Sequence, residues 1–298
     1  MRDRFNIQIL SLDSDMRQLT GILLLLLVGC TKIIEIELPN APDKLVVNCF
    51  FSTGDKFVVH ISHSQNILNE DSTEIINAEV KLFANEIYQG SLTYINDGFY
   101  SHDTIIARPG IKYKLVALAL GYDQVEAEDT APTPAILDSV SYDPKTYPDS
   151  EGNNFYKLGL LLQDNSSKRD YYEIVLQYYK NADKYSIIRL RGDYEAVLLN
   201  EGDEEFYSGI CIFSDGLIDG REYRLKLKTS EDLSENKKEL HLLSISEILY
   251  KYRKSWIRHS SAQYPDITNP IEPVTLFSNI KGGYGIFAGY SDTVDISN

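Results

Sequence analysis

Three kinds of residue are scarce in this sequence, which contains three Cys, two Met and one Trp among its 298 residues. So few cysteines exclude a scaffold that is held together by several disulfides. Positive charge is also in short supply, because 29 Lys and Arg stand against 44 Asp and Glu and give a formal net charge of −15. A surface this acidic repels phosphate backbones and anionic headgroups, so we expect no nucleic-acid partner and no peripheral adsorption to a membrane.

The sequence also lacks an apolar run long enough for a transmembrane helix. The run Ile22–Val28 is uninterrupted but short, whereas about 20 residues are needed to cross the hydrocarbon. It is followed by Gly29 and Cys30, and Leu27, Val28, Gly29 and Cys30 together resemble the bacterial lipobox. In that motif the cysteine thiol is diacylated and the chain is then cut before it. The alternative, a buried Cys at the end of a core helix, would need the polar face and helix cap that this run lacks.

These residues predict the organisation of the N-terminal part. We predict that residues 1–29 are a signal peptide, since its apolar segment needs only about 7 to 15 residues. Residues 30–43 would be a lipidated tether that holds the folded part off the lipid bilayer through the acylated Cys30. Acidic residues interrupt the segment before Met16, so we also predict that translation begins at Met16. Finding residues 1–15 in the unprocessed precursor would contradict that start.

The residues that are abundant favour a mainly β protein. The chain has 21 Tyr and 11 Phe, and Tyr suits strands with one wet face. Between residues 44 and 130, short alternating runs are divided by turns such as Asp97-Gly98 and Pro109-Gly110, which predicts a small β-sandwich. Its segment order also resembles immunoglobulin-like or transthyretin-like modules, on the residues Gly98, Tyr100, Pro109, Gly110, Tyr113 and Leu115.

A second β-rich domain is predicted for residues 151–298, after a proline-rich junction at 131–150. Alternation returns there, with Arg224, Lys226 and Lys228 on one side of a strand and Tyr223, Leu225 and Leu227 on the other. We expect antiparallel strands with one wet face.

One amphipathic helix is predicted at about 244–259, opened by Ser244 and Glu247 as a capping box. Its Lys, Arg and apolar residues recur at helical spacing, so we expect it to lie across a sheet with its charges in solvent. A helix that docks a partner is the alternative. The residues of its predicted basic outer face are Lys251, Arg253, Lys254 and Arg258.

The sequence offers no pattern that predicts a catalytic, cofactor or metal site. His60 and His63 are three apart in a predicted strand, where they would face opposite sides and could not share a metal. Arg191-Gly192-Asp193 spells an integrin-like tripeptide where a hairpin turn is expected. The glycine-rich end, residues 278–291, could cradle phosphate, but no basic residue follows to meet it. We interpret it as a last strand with a bulge, whose glycines admit close backbone approach. Cys49 and Cys211 could form one disulfide or remain two buried thiols, and both alternatives stay open.

Taken together, the sequence resembles a family of Bacteroidota lipoproteins known as domain of unknown function 4249. The resemblance covers nearly the whole chain after Cys30. It is carried by the lipobox, "IEIELP" (34–39), "KLVVN" (44–48), "NAEVKLF" (77–83), "PGIKYKL" (109–115), "FSDGLIDGREYRLKL" (213–227), "LLSISEILYKY" (242–252) and "EPVTLFSNIKGGYGIFAGY" (272–290).

This resemblance implies an outer-membrane lipoprotein without assigned enzymatic activity, often encoded beside TonB-dependent receptors. We therefore expect a non-catalytic accessory or ligand-binding subunit of such a transporter. The alternative is a surface adhesin that binds glycan or protein, with Tyr171 and Tyr179 stacking on sugar rings. In that phylum, acidic residues soon after the lipidated Cys favour export to the cell surface. Here residues 31–34 separate Cys30 from Glu35, so the side of the membrane that the protein faces stays open.

Overall fold

The structure is a computed structural model. It describes residues 42–65, 73–148, 152–165, 168–181, 184–201, 211–233, 238–263 and 274–297. Contacts between Cα atoms group Pro42–Asn298 into one compact unit. The predicted signal peptide, the lipobox with Cys30, and the tether as far as residue 41 lie outside the described residues. Within the described part, no helix is both long enough and apolar enough to cross a bilayer.

The described residues are mainly strands, which confirms the predicted mainly β class. The strands are β1 Leu45–Ser52, β2 Lys56–His63, β3 Glu79–Ala84, β4 Ile87–Tyr94, β5 Phe99–Ile106, β6 Lys112–Leu118, β7 Val125–Thr130, β8 Ile136–Pro148, β9 Asn154–Gln163, β10 Tyr171–Asn181, β11 Lys184–Ile188, β12 Arg191–Gly192, β13 Cys211–Ser214, β14 Glu222–Thr229, β15 Lys238–Ile245 and β16 Tyr284–Ser297. The helices are α1 Ala196–Leu199, the 3-10 helix Asp215–Leu217, and α2 Glu247–Ala262.

These strands form a large and a small sheet. The large mixed sheet has 12 strands in the order β11-β10-β15-β16-β1-β2-β5-β4-β3-β6-β7, with β13 beside β10. The small sheet is antiparallel, with four strands in the order β12-β14-β9-β8. The proline-rich segment that was interpreted as a junction contains β8, so most of it is a strand of the small sheet rather than a linker.

The two halves of the chain meet in the large sheet, because the last strand pairs with the first. β16 runs parallel to β1, from Val46 opposite Tyr284 to Ser52 opposite Tyr290. Gly285 permits this approach: its φ is +104°, and a Cβ atom there would lie 2.0 Å from the Val47 carbonyl oxygen. The interpretation of the glycine-rich end as a last strand with close backbone approach is therefore confirmed, but the predicted bulge is wrong, because β16 pairs with β1 and β15 without a shift of register.

Alternating side chains build three apolar clusters on these sheets. The first lies under β1–β7 and takes Ile280 and Phe287 from the far end of the chain. The second lies between the small sheet and the β10–β15 part of the large sheet, and it includes Leu160, Leu225 and Leu242. The third packs α2 on the opposite face of that part of the large sheet. This end of the molecule therefore has three layers: small sheet, large sheet and helix.

The helix begins later than the capping box predicted. β15 continues through Ile245, because Ser244 pairs with β10 and β16. Ser246 is the first residue past the strand, and its hydroxyl accepts a hydrogen bond from the Leu249 N–H at 3.1 Å. Ser246 therefore caps α2, and Glu247 is its first residue rather than the third.

The predicted basic outer face of the helix is wrong in its central residues. Arg253 donates to the buried carboxylate of Glu173 on β10 at 3.2 Å, and its guanidinium lies 5.5 Å from the Phe50 ring centroid. Lys254 donates to the Glu201 carbonyl oxygen at 2.8 Å. These two cations therefore fasten the helix to the protein instead of projecting into solvent.

A buried carboxylate connects the first half of the chain to β16. Asp129, at the end of β7, is 8% exposed and accepts hydrogen bonds at 2.8 Å from the N–H groups of Thr130 and Gly289. Its burial raises its pKa to about 6, against the opposing effect of these donors and of the Ser246 hydroxyl. The ionised form is therefore costly to the fold at neutral pH.

Candidate functional site

The structure resolves one alternative for the cysteines. Cys49 and Cys211 are both buried and neither is in a disulfide, so they are two thiols. Burial raises the pKa of Cys49 well above its usual range, and the Cys211 thiol lies 3.7 Å from the Leu190 carbonyl oxygen. Neither is placed as a nucleophile, which needs an accessible thiolate.

The histidines that were considered as metal ligands lie apart. His60 packs on Phe99, with ring centroids 4.7 Å apart. His63 lies on the other side of β2, where its Nδ1 is 2.9 Å from the Ser64 carbonyl oxygen. His102 and His259 each make hydrogen bonds within their own neighbourhood.

One histidine forms a dyad that the sequence did not indicate. His241 Nδ1 lies 2.8 Å from the Asp292 carboxylate, since β15 and β16 bring these residues to one face of the sheet. The His241 Nε2 atom is buried without a hydrogen-bond partner, 3.8 Å from a Glu239 carboxylate oxygen. Tyr179 donates a hydrogen bond to Glu239 at 2.5 Å. The dyad is packed into the sheet face, with Tyr179 beside it.

A group of three aspartates is also brought together. One oxygen of each of Asp164, Asp170 and Asp215 lies within 4.8 Å of the others. Asp164 accepts from the Tyr172 hydroxyl at 2.6 Å and from the Gly220 N–H at 2.7 Å, and Asp215 accepts from the Asp170 N–H at 2.7 Å. Burial raises the pKa of Asp170 and of Asp215. Because the donors come from the protein, the group ties together the loops that flank β9, β10 and β14.

The outer face of the small sheet carries a different kind of arrangement, a row of cations. Leu225 and Leu227 of β14 point into the core, so the alternating Arg224, Lys226 and Lys228 point outwards. Pairing adds cations from two neighbouring strands, with Lys157 on β9 and Arg191 on β12 both opposite Lys228. We call this surface the cationic face; its cations are Lys157, Arg191, Arg224, Lys226 and Lys228.

Aromatic rings lie among these cations. The Lys157 Nζ atom is 4.6 Å from the Tyr147 ring centroid, and the Lys228 Nζ atom is 4.9 Å from that of Phe155. Tyr194 is 92% exposed and follows β12 with a φ of +53°. A non-glycine residue in this region costs about 1–3 kcal/mol of backbone strain, which is often found at functional positions.

A groove of about 450 Å³ runs through the cationic face. Its floor is Gly159, where a Cβ atom would lie 2.7 Å from the Ser141 hydroxyl oxygen. Its walls include Lys157, Lys226 and Asp143. Glycine at this position therefore keeps the middle of the sheet face recessed.

Some of the charge on this face is already matched. Lys157 forms an ion pair with Asp193 at 3.1 Å, and the Tyr147 hydroxyl donates to Asp143 at 2.6 Å and lowers the pKa of that carboxyl. Asp193 belongs to the integrin-like tripeptide, so that tripeptide lies in a strand and a turn with its carboxylate engaged.

The three cations of β14 differ from Lys157 in their ion pairing. Among the described residues, no carboxylate lies within ion-pair distance of Arg224, Lys226 or Lys228. On a chain with a net charge of −15, these side chains remain available to an external anion. Alternation in the sequence predicted the β14 row, but it could not show that Lys157 and Arg191 join it or that a groove lies beside it.

Comparison with known proteins places the chain in a family. The family described as "Domain of unknown function (DUF4249)" matches residues 31–295. The chain belongs to the DUF4249 family. The matched residues include both sheets, so the cationic face is part of the DUF4249 region. No curated protein matches the chain.

Solved structures add little to the DUF4249 assignment. One match is the crystal structure of a protein from Corynebacterium diphtheriae that is described as membrane anchored. It shares 12% sequence identity with this chain, covers 69% of it and has a TM-score of 0.22. The chain spans about half of that protein, 55% of its length. A likeness at this level supports no conclusion about fold or function.

Proposed function

We propose that this DUF4249 protein is a non-catalytic, lipid-anchored lipoprotein of a Bacteroidota outer membrane that acts as an accessory, partner-binding or ligand-binding subunit. In this proposal Cys30 carries the lipid after cleavage at the lipobox. The partner is a TonB-dependent transporter, and the first half of the chain is an immunoglobulin-like or transthyretin-like module. The observation that favours binding over catalysis is the cationic face, whose cations are spread along neighbouring strands instead of converging on one reacting atom.

The acidic remainder of the protein supports a covalent anchor. Charge repulsion would keep the domain away from anionic headgroups, so retention at the membrane would depend on the lipid. Metabolic labelling with a fatty-acid analogue tests this step. The wild type should be labelled and recovered with membranes, and Cys30→Ser should be unlabelled and recovered in the soluble fraction. A matched Cys49→Ser variant should behave as wild type, and labelling of Cys30→Ser would contradict the anchor.

The partner is tested separately. A tagged full-length chain is purified from the native outer membrane after mild crosslinking, and the co-purified proteins are identified by mass spectrometry. We expect a TonB-dependent transporter at near-stoichiometric yield. Absence of any outer-membrane barrel from the crosslinked material would contradict the accessory role.

The second candidate function is a surface adhesin that binds glycan. Tyr171 and Tyr179, which the sequence offers for stacking on sugars, are half-buried: Tyr171 packs on Tyr250 at 4.6 Å between ring centroids, and Tyr179 donates to Glu239. The rings of the cationic face favour this function instead, because Tyr194 is almost fully exposed. Binding to whole glycans without any co-purified transporter would favour the adhesin.

A further inference from the structure

We propose that the cationic face binds an acidic polysaccharide, a chain of sugar rings that carry carboxylate or sulfate groups. This inference names the ligand of the binding role proposed above and rests on it. The residues that would make the contacts are Arg224, Lys226 and Lys228, with Tyr194 beside Lys228 and Gly159 in the lining of the groove.

The charge on the face suits a linear polyanion. Side chains on one face of a strand recur about every 6.8 Å, so Arg224, Lys226 and Lys228 form a row of positive charge about 14 Å long. Their charges have no carboxylate partner among the described residues. The net charge of −15 would repel a polyanion from the rest of the surface, so binding is confined to this row.

The rings suit sugars rather than small anions. A pyranose presents a flat apolar face of C–H groups, which packs on an aromatic ring while its polar groups stay in water. Tyr194 is 92% exposed beside the row, with its ring centroid 5.8 Å from the Lys228 Nζ atom. Tyr147 and Phe155 lie opposite each other on β8 and β9, with ring centroids 6.0 Å apart. Cations and rings therefore alternate along the same face.

The position of the face within the sheet argues against two other acidic partners. β9 is paired on both sides, by β14 and by β8, and β12 covers Leu227 and Lys228 of β14, so the backbone beneath Lys157 and Lys228 is already paired. An acidic peptide could not add to the sheet there as an extra strand, which is the usual source of its affinity. A flat bilayer would meet the rims of the groove but not the recessed Gly159 floor. A flexible polymer with pendant anions can contact both the rims and the floor of the groove.

The test measures binding of the detergent-solubilised full-length protein to five immobilised probes. These are polygalacturonate as the carboxylated polymer, dextran sulfate as the sulfated polymer, uncharged dextran, polyglutamate and phosphatidylglycerol vesicles. The protein should bind one or both acidic polysaccharides, with affinity that falls as salt is raised. It should bind dextran, polyglutamate and vesicles at least about tenfold more weakly.

The variants test the site. Lys226→Gln with Lys228→Gln should weaken polysaccharide binding at least about tenfold and reduce its salt dependence. The control pair Lys56→Gln with Lys281→Gln removes the same charge from exposed lysines elsewhere and should stay within about twofold of wild type. Tyr194→Ala should weaken binding about fivefold and leave the salt dependence unchanged, because it removes a ring and no charge.

Several results would overturn the inference. They are no binding to either acidic polysaccharide, equal losses in the two lysine pairs, or binding to polyglutamate or vesicles as strong as to polysaccharide. Thermal melts of each variant show that a loss is not caused by unfolding. If neither polysaccharide binds but a transporter co-purifies, the proposed ligand is wrong and the accessory role stands. If a polysaccharide binds but no transporter co-purifies, the ligand stands and the accessory role is wrong.

Discussion

The contact between α2 and the large sheet should depend on one buried ion pair. Glu173 is 1% exposed, and Arg253 donates to its carboxylate at 3.2 Å. Burial raises the Glu173 pKa, and the Arg253 charge opposes that rise. Arg253→Met keeps most of the side-chain length that packs near Phe50 but leaves the carboxylate without its cation. The substitution therefore isolates the electrostatic part of the contact.

The expected loss is large because one partner alone is costly to bury. Removing one member of a buried pair costs about 3–5 kcal/mol, since the remaining charge loses its compensation. Arg253→Met should therefore lower the free energy of unfolding by about 3–5 kcal/mol at pH 7. The double variant Arg253→Met with Glu173→Gln removes both charges and should recover all but about 1–2 kcal/mol.

The loss should also depend on pH. Without Arg253 the folded-state pKa of Glu173 rises further above its unfolded value. Protonation then stabilises the folded variant fully below the unfolded pKa, and this contribution is lost as pH rises through the folded pKa. The deficit of Arg253→Met should accordingly shrink as pH falls from 7 towards 4.5, the ordinary pKa of Glu.

Urea unfolding followed by tryptophan fluorescence measures these effects. Trp256 is the only tryptophan of the chain and lies on α2, so its emission reports on helix docking. A deficit below about 1 kcal/mol for Arg253→Met, or a double variant no more stable than the single one, would refute the reasoning.

Three further predictions concern Asp129, Gly285 and the two cysteines. Wild type should lose about 2 kcal/mol of stability relative to Asp129→Asn as pH rises from 4 to 7, because ionisation of the Asp129 carboxyl, whose pKa is raised to about 6 in the fold, disfavours the folded state; parallel urea-unfolding profiles would contradict this. Gly285→Ala should cost at least about 2 kcal/mol, since its Cβ would meet the Val47 carbonyl, and an unchanged melting temperature would oppose it. Cys49 and Cys211 should resist a thiol reagent in the native protein, and both should react after unfolding without reductant; intact-mass analysis showing a bridge between them would contradict this.

Local patterns predicted many of the strands. Alternation at Leu158, Leu160 and Leu162 and at Leu225 and Leu227 correctly separated core from surface, because a strand's period of two is written directly in the sequence. The end of β15 was missed, since Ser244 and Ser246 are equally good caps by type. Only pairing with β10 and β16 shows that the chain stays extended through Ile245.

The proline-rich segment shows the limit of composition. Pro144 and Pro148 predicted a junction, yet both belong to β8. β8 is an edge strand of the small sheet, and prolines are tolerated there because an edge strand leaves some N–H groups unpaired. Sequence alone does not show which strand is at an edge.

Two basic segments show what the sequence determines and what only the tertiary structure decides. The sequence by itself determined that residues 224–228 and 251–258 each place cations on one side of a strand or helix, because periodicity is a local property. The tertiary structure alone decided their partners: Arg253 and Lys254 meet Glu173 and Glu201, while the β14 cations face outwards. Carboxylates distant in sequence pair with Arg253 and Lys254, whereas no carboxylate of the described residues pairs with the β14 cations. Only the cations that the fold leaves unmatched are available to bind something else.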